Sequence, residues 1–293
     1  MPVSDVRRGR HAARAPTDPT PSRRFLTVWA AALAVVLGLL FTGTTALTIA
    51  LWSTDPAYTQ TNPVVDLAFF ALGGILITVG FASQIRARQV AGLQQAILAL
   101  LTLAVTVMLA GRIEPFIGAL LLLVAAAPLV VLHPTRRQLL AAGETVSRPL
   151  AALGAVAVIP AVAYAAAMLD RARAAGPSCF LGRCAEGDRF AETAALAVAV
   201  VLVALLASLR TPGWRLSAWC AGITAIVFGA TSLVFPRELG ALGAPWAVAA
   251  VVWGAALIVT VSTPHAGRAP RAHRRPRTGK AGECDGNAHV GSC

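Results

Sequence analysis

The sequence predicts an all-α, polytopic transmembrane bundle of about eight helices, and three observations support that fold class. The chain is 57% hydrophobic and 13% charged, whereas soluble proteins have about 25% charged residues. Residues 95–133 contain two apolar runs, each close to the length that crosses a bilayer, joined by the short turn GRIEP. Arginines flank both outer ends of this hairpin, as the positive-inside rule expects of cytoplasmic ends. A water-soluble fold is therefore excluded.

Counting outward from this hairpin gives eight apolar segments, each long enough to cross a membrane as a helix. The first follows a basic head that is too long for a cleavable signal peptide, so we expect this span to be retained. Its apolar run of about 28 residues exceeds a perpendicular crossing, which implies tilt or an end outside the membrane. The predicted spans are 25–51, 64–82, 93–110, 116–132, 150–169, 191–209, 214–235 and 245–261.

An even number of spans places both chain ends on one side, and charge identifies that side as the cytoplasm. The segments on that side contain 19 basic and 5 acidic residues, and the opposite segments contain 6 basic and 8 acidic residues. The outer loop 170–190 has four arginines, which opposes the rule, but nearby acids accompany them. The arginine, alanine and valine bias is typical of a GC-rich bacterial genome. We therefore expect a multi-pass protein of the bacterial inner membrane with cytoplasmic termini.

Three regions divide the chain. Residues 1–24 and 263–293 are basic and polar, and we expect both to be disordered in the cytoplasm. Residues 25–262 form the predicted eight-span transmembrane domain. The lipid bilayer is the expected partner, with anionic lipids at the cytoplasmic face attracted to arginine. No aromatic residues interleave with the basic tail, so nucleic acid is not expected as a partner.

A weak internal duplication is possible, with four spans in each half. Each half ends in a hairpin whose outer turn combines proline, arginine and glutamate, followed by a proline and a histidine near the inner surface. Two such halves would have the same orientation and would be related by an axis along the membrane normal. The alternative is that short hairpin turns simply favour these residues. The paired turns are Arg112, Glu114 and Pro115 in the first half, and Pro236, Arg237 and Glu238 in the second.

Asp66 is the acidic residue nearest to a membrane core, and it allows two interpretations. A buried carboxylate in a span could be an ion or proton site. Alternatively, Asn62 caps the helix, Pro63 occupies its first position, and Asp66 stabilises the positive end of the helix dipole. The second interpretation accounts for the residue without a ligand, and we favour it.

The middle of every predicted span lacks lysine, arginine, aspartate, glutamate and histidine. Ion-coupled transporters usually require such a residue as a relay, so this pattern disfavours proton-coupled transport. No catalytic constellation and no cofactor motif is present. The terminal residues Cys284, His289 and Cys293 are too few for a structural zinc site, which normally has four ligands.

Two further groups of residues are candidate sites. Cys179 and Cys184 lie in the long outer loop, where an oxidising compartment would permit a disulfide, although two free thiols are equally consistent with the spacing. Arg136, Arg137 and Arg148 lie in one inner loop and could contact a phosphate-bearing headgroup. The simpler interpretation of these arginines is a topology signal.

Small residues recur every four positions in three spans and allow neighbouring helices to approach closely. We expect packing within the chain, with contact to a membrane partner or a second copy as the alternative. The stripes are Gly38, Thr42, Ala46 and Ala50, then Gly74, Thr78 and Ala82, then Ala221, Ala225 and Gly229.

The segments LWSTDPAYTQTNPVVDLAFFALGG, LHPTRRQLL and LRTPGWRLSAWCAG resemble those of bacterial multi-pass membrane proteins. The resemblance implies the membrane architecture and no chemistry. The first functional hypothesis is a non-enzymatic scaffold, sensor or accessory subunit, because the loops are too short for a catalytic domain. The alternative is a carrier for a small neutral or lipid-like molecule, and a third hypothesis is an enzyme acting on anionic lipids through Arg136 and Arg137.

Overall fold

The structure is a computed structural model that describes residues 21–54, 62–86, 89–134, 136–139, 145–175 and 186–263. These ranges contain eight long helices and no strand. Helix α2 consists of three consecutive parts, and a short helix, Arg136–Leu139, lies between α4 and α5. The helices are α1 (Pro21–Thr54), α2 (Pro63–Phe70, Ala71–Thr78 and Val79–Arg86), α3 (Val90–Leu109), α4 (Ile113–Val131), α5 (Arg148–Ala174), α6 (Glu186–Ser208), α7 (Trp214–Val234) and α8 (Ala244–Ser262).

All eight helices are long and apolar enough to cross a membrane, which confirms the predicted class of a polytopic helical bundle. The chain is therefore a multi-pass membrane protein. The main differences from the predicted boundaries are in α6, which begins at Glu186 instead of residue 191, and in α5, which ends at Ala174 instead of residue 169. The charged residues at the end of the predicted outer loop are therefore helical, because they form the first turns of the same helix as the apolar run that follows them. Helix α1 begins at Pro21, four residues before the predicted span.

The bundle has an inner and an outer set of helices. In α2, α3, α6 and α7, more than half of the most apolar window is buried inside the protein. In α1, α4, α5 and α8, less than a third of that window is buried. The outer four helices therefore present most of their apolar surface outward, where lipid or another protein can cover it.

Helix neighbours are the same in the two halves of the chain. In the first half α1 packs on α2, α2 on α3, and α3 on α4, and in the second half α5 packs on α6, α6 on α7, and α7 on α8. Across the halves, α2 contacts both α6 and α7, and α3 contacts both α6 and α7. This set of neighbours is the one expected for two four-helix repeats around a twofold axis.

Close approach of helices depends on glycines that leave no room for a side chain. A Cβ on Gly80 of α2 would lie 2.6 Å from the Gly92 carbonyl oxygen at the start of α3. A Cβ on Gly254 of α8 would lie 2.5 Å from the Gly222 carbonyl oxygen of α7. In the predicted stripes, a Cβ on Gly229 would lie 2.7 Å from the Ala247 carbonyl oxygen of α8. This contact agrees with packing inside the chain.

The middle part of α2, Ala71–Thr78, is a π-helix. A ring of α1 fills the space beside it, since a Cβ on Gly73 would overlap the Phe41 side chain. Thr78 Oγ1 donates a hydrogen bond to the Gly73 carbonyl, and Gln95 Nε2 of α3 donates to the Leu76 carbonyl. These donors satisfy carbonyl groups in a segment with irregular helical geometry, which is necessary where no water is present.

Candidate functional site

The ends of the helices form two faces that differ in chemistry. We call the end that includes the connections α1–α2, α3–α4, α5–α6 and α7–α8 the mixed-charge face. We call the opposite end the arginine-rich face. A network of five ionisable side chains occupies the mixed-charge face, between α2, α6 and the α3–α4 turn. Its members are Asp66, Arg112, Asp188, Arg189 and Glu192.

Asp66 has both the predicted local role and a partner that the sequence did not reveal. The Asn62 side chain accepts hydrogen bonds from the backbone N–H groups of Val64 and Val65, and Pro63 is the first helical residue. The capping interpretation of this segment is therefore confirmed. Asp66 Oδ1 also lies 3.8 Å from Arg189 Nε of α6, so the carboxylate connects the two halves.

Arg189 is shared by two acids and an aromatic ring. Its Nη1 lies 3.0 Å from Glu192 Oε2, one turn further along α6. Its guanidinium carbon lies 3.9 Å from the centre of the Phe69 ring, which is within cation–π distance. Glu192 is 8% exposed. A buried carboxylate needs such a partner, because removing an isolated charge from water is costly.

Arg112 is the most buried charge of the network, with 3% of its side chain exposed. The residue precedes α4, and its side chain crosses to the start of α6. Nη2 donates a hydrogen bond to the Ala172 carbonyl near the end of α5, and Nε lies 3.7 Å from Asp188 Oδ1. The guanidinium lies directly on Gly187, since a Cβ there would overlap it. Only a residue without a side chain permits this contact.

Three further hydrogen bonds, from two side chains, cross between the halves on the same face. Arg173 of α5 donates from Nε and Nη2 to the Leu109 carbonyl of α3, at 3.2 and 3.0 Å. Asn62 Nδ2 donates to the Leu239 carbonyl in the α7–α8 connection. The mixed-charge face is thus closed by several links between the first and second four helices.

The chemistry of this network indicates a structural role. Three carboxylates share two guanidinium groups, so most of the charge is neutralised inside the protein. Among the described residues, no group of three or more histidine, cysteine, aspartate or glutamate side chains could hold a metal ion. The network binds helices to one another, and buried pairs of this kind are strongly destabilising when one partner is removed.

Glutamines supply the corresponding polar links toward the arginine-rich face. Gln95 is fully buried and donates to the Leu76 carbonyl, as described for α2. Gln94 Nε2 donates to the Leu139 carbonyl at 2.7 Å, and its Oε1 accepts from Thr211 Oγ1 at 3.2 Å. Hydropathy did not identify these residues, although two adjacent glutamines at the start of an apolar run are a recognisable signal for buried hydrogen bonding.

Of the predicted headgroup arginines, the structure describes the side chains of Arg136 and Arg148. Arg136 is exposed on the short helix Arg136–Leu139, and Arg148 is exposed at the first position of α5. Arg137 lies on the same short helix, and its side chain is outside the described part. The predicted disulfide between Cys179 and Cys184 also lies outside the described residues, as do Cys284, His289 and Cys293.

The paired turns of the suggested repeat differ in burial. Arg112 is buried against α5 and α6, whereas Arg237 and Glu238 are exposed. The helix neighbours are compatible with the suggested repeat, whereas the burial of its turns differs between the halves.

The fold and this network define a multi-pass helical membrane protein whose two four-helix halves are joined by charged links. Comparisons of the chain with protein-family models, with curated proteins and with solved structures found no match.

Proposed function

We propose that this multi-pass membrane protein is a non-enzymatic scaffold, sensor or accessory subunit of the bacterial inner membrane, with both termini in the cytoplasm. The observation that supports it best is the solid packing of the inner helices at mid-length. Leu76, Leu100 and Leu196, from three of the four inner helices, are at most 1% exposed. Helices whose side chains pack this closely resist sliding past one another. A rigid bundle of this kind is suited to holding a partner protein in position.

The outer helices supply the surface for such a partner. Large apolar side chains of α1, α4, α5 and α8 are more than 50% exposed. The bilayer covers this surface by default, and a membrane protein partner or a second copy would cover part of it. Examples are Val36 and Leu39 of α1, Leu121 and Val124 of α4, Ile159 of α5, and Trp246 and Val252 of α8.

Thiol labelling tests whether the core stays closed. Cys220 is a free, buried cysteine of α7, and the residue is 4% exposed. A variant would keep Cys220 and carry serine at the other four cysteines. We expect a membrane-impermeant maleimide to leave Cys220 unmodified from either side of the membrane, and to modify it rapidly after denaturation in SDS. Labelling is read as a mass shift on a gel.

Two results would contradict the proposal. Labelling of Cys220 in the folded protein would show that the inner helices open to water. Turnover of a lipid or nucleotide by the purified protein would show an enzyme. An R237C variant in a background without other cysteines is the matched control, because Arg237 is exposed on the mixed-charge face. Its labelling in intact spheroplasts also tests the proposed orientation, since the reagent reaches only the outer side.

The second candidate is a carrier for a small neutral or lipid-like molecule. It is favoured by a cavity of about 670 Å³ at the arginine-rich face, lined by residues of α2, the α2–α3 connection and α7. These elements belong to different halves, and carriers commonly bind substrate where two repeats meet. Labelling of Cys220 that changes when a transported molecule is added would favour this function over a scaffold.

A further inference from the structure

The cavity at the arginine-rich face has a lining that is part polar and part apolar. It opens between the end of α2, the residue preceding α3, and the start of α7. Ser83, Gln89 and Arg215 provide polar groups, and Ala82, Ile85 and Leu216 provide an apolar wall. A site of this composition accepts an amphiphilic molecule, because each half of the lining matches one half of the ligand.

Two arginines lie near Trp214, which lines this cavity together with one of them, Arg215. The guanidinium carbons of Arg210 and Arg215 lie 5.5 and 5.7 Å from the centre of the Trp214 ring. In the described residues neither arginine forms an ion pair, in contrast to the buried arginines of the mixed-charge face. Two positive charges beside the cavity are therefore available to an anion. Tryptophan and arginine at the end of a span are also typical of the headgroup region.

Two buried polar atoms here have no hydrogen-bond partner among the described residues. They are Oε1 of Gln89, which lines the cavity, and Nε of Arg210, which lies near Trp214. Gly213 has a φ of 92° and offers no side-chain cap to α7. Helix α7 therefore begins without a capping side chain, and the Trp214 and Leu216 N–H groups donate to the Thr211 and Gly213 carbonyls instead. The dipole of α7 favours a negative charge near this end.

We propose that this cavity binds the headgroup of an anionic glycerophospholipid whose phosphate is held by Arg215 of the lining and attracted by the neighbouring Arg210. A free hydroxyl on the headgroup donates to Gln89 Oε1, which is an acceptor and therefore selects a hydroxyl over a second phosphate oxygen. The glycerol and the upper acyl chain contact Ala82, Ile85 and Leu216. The lipid lies in the leaflet at the arginine-rich face, where basic pockets between transmembrane helices bind such headgroups.

This site differs from the predicted cluster of Arg136, Arg137 and Arg148. Arg136 and Arg148 are exposed and do not line the cavity. Surface arginines attract all anionic lipids through charge alone, without distinguishing their headgroups. The proposed cavity site adds a hydrogen-bond acceptor, Gln89 Oε1, and an apolar wall. It should therefore discriminate among lipids of equal charge.

Native mass spectrometry of the full chain tests the proposal. The protein would be released from nanodiscs that contain phosphatidylcholine with one test lipid, and the retained lipid would be counted. We expect retention of phosphatidylglycerol, which has a phosphate and two hydroxyl groups, and no retention of phosphatidylcholine. A R210Q/R215Q variant should lower phosphatidylglycerol affinity by about tenfold or more, since each arginine contributes to headgroup attraction.

The matched control is R136Q/R148Q, which removes the same charge from the same face and should retain the lipid. R215Q alone is the safeguard against misfolding, because Arg215 is exposed. Equal loss in R136Q/R148Q, or no loss in R210Q/R215Q and R215Q, would overturn the proposal.

Two further arms test the ligand class. Q89L should reduce the preference for phosphatidylglycerol over phosphatidic acid. No change in this preference would remove the role of Gln89 in selecting a hydroxyl. Displacement of the lipid by millimolar sn-glycerol 3-phosphate would assign the site to a soluble phosphate compound and overturn the lipid assignment. The lipid-site proposal rests on different measurements from the scaffold proposal, which Cys220 labelling tests. Either proposal can therefore fail without the other.

Discussion

The two faces of the bundle join the same two halves by different chemistry. On the mixed-charge face, Arg112, Arg173 and Arg189 cross between the halves and end on carboxylates or carbonyl groups. On the arginine-rich face, the links between described residues are neutral. Thr211 donates to Gln94, the Ala91 N–H donates to the Pro212 carbonyl at 3.0 Å, and Ser217 donates to the Ala91 carbonyl.

This difference shows that the position of an arginine in the sequence does not determine its role. An arginine whose charge is neutralised inside the protein stabilises the fold, and its loss leaves an unpaired buried group. Where neutral hydrogen bonds join the helices, the arginines are not used as links. Such an arginine can orient the chain in the membrane and attract anionic lipid. Arginine substitutions on the two faces change the net charge of the protein equally. They should nevertheless change its unfolding free energy by different amounts.

The largest expected effect is from R112L. Removing the guanidinium leaves Asp188 and the Ala172 carbonyl without their partner, at a cost of about 3 kcal/mol in unfolding free energy. Unfolding in detergent, followed by circular dichroism, measures the change. R237L is the matched control, because this arginine occupies the equivalent turn of the second half and is exposed. A similar loss in both variants would remove the distinction between paired and free arginines.

N62A should follow, with a loss of about 2 kcal/mol. The variant removes the cap on α2 and the hydrogen bond to the Leu239 carbonyl. N62D separates the two contributions, because a carboxylate still caps the helix but cannot donate to Leu239. We expect N62D to lose about half as much in the same unfolding assay. A loss in N62D as large as in N62A would assign the whole effect to the link between the halves.

T211V tests a neutral link on the arginine-rich face. It removes one hydrogen bond to Gln94 at nearly constant volume, and we expect a loss of about 1 kcal/mol or less. T231V is the control, since the Thr231 hydroxyl donates to the Val227 carbonyl within α7. If T211V lost more unfolding free energy than R112L, the neutral links would be stronger than the charged ones, which would contradict the expected order of the two faces.

The smallest effect is expected from R215Q, whose unfolding free energy should stay within about 0.5 kcal/mol of the unchanged protein. Arg215 is exposed and forms no ion pair in the described residues. Measuring R215Q at low and high salt sharpens the test. A destabilisation that disappears with salt would reveal an electrostatic partner outside the described part of the chain.

Hydropathy was sufficient to predict the fold class, because each helix must bury its backbone hydrogen bonds over a fixed thickness of apolar surroundings. The number and order of the eight helices followed from that constraint. The start of α6 did not, since Asp188 and Arg189 lie in a stretch that the sequence alone indicates to be a charged loop. Their burial depends on Arg112 and Asp66, which lie far away in the sequence.

The local role of Asp66 was predictable because capping depends on adjacent residues. Its link to Arg189 was not, because it forms only when α2 and α6 pack together. The same limit applies to Arg112 and Arg237, which have similar turns but different burial. Nor did the sequence reveal the π-helix of α2, although the adjacent pair Gly73 and Gly74 makes a regular helix less favourable there.

The distance in sequence between Asp66 and Arg189 has a consequence for biosynthesis. At ribosomal rates of about 5–20 residues per second, Asp66 enters the membrane on the order of ten seconds before its arginine is made. During that interval the carboxylate faces lipid, water or the insertion machinery without its final counter-ion. Nascent chains halted before α6 should therefore be recognised by membrane quality control, and the finished protein should escape it.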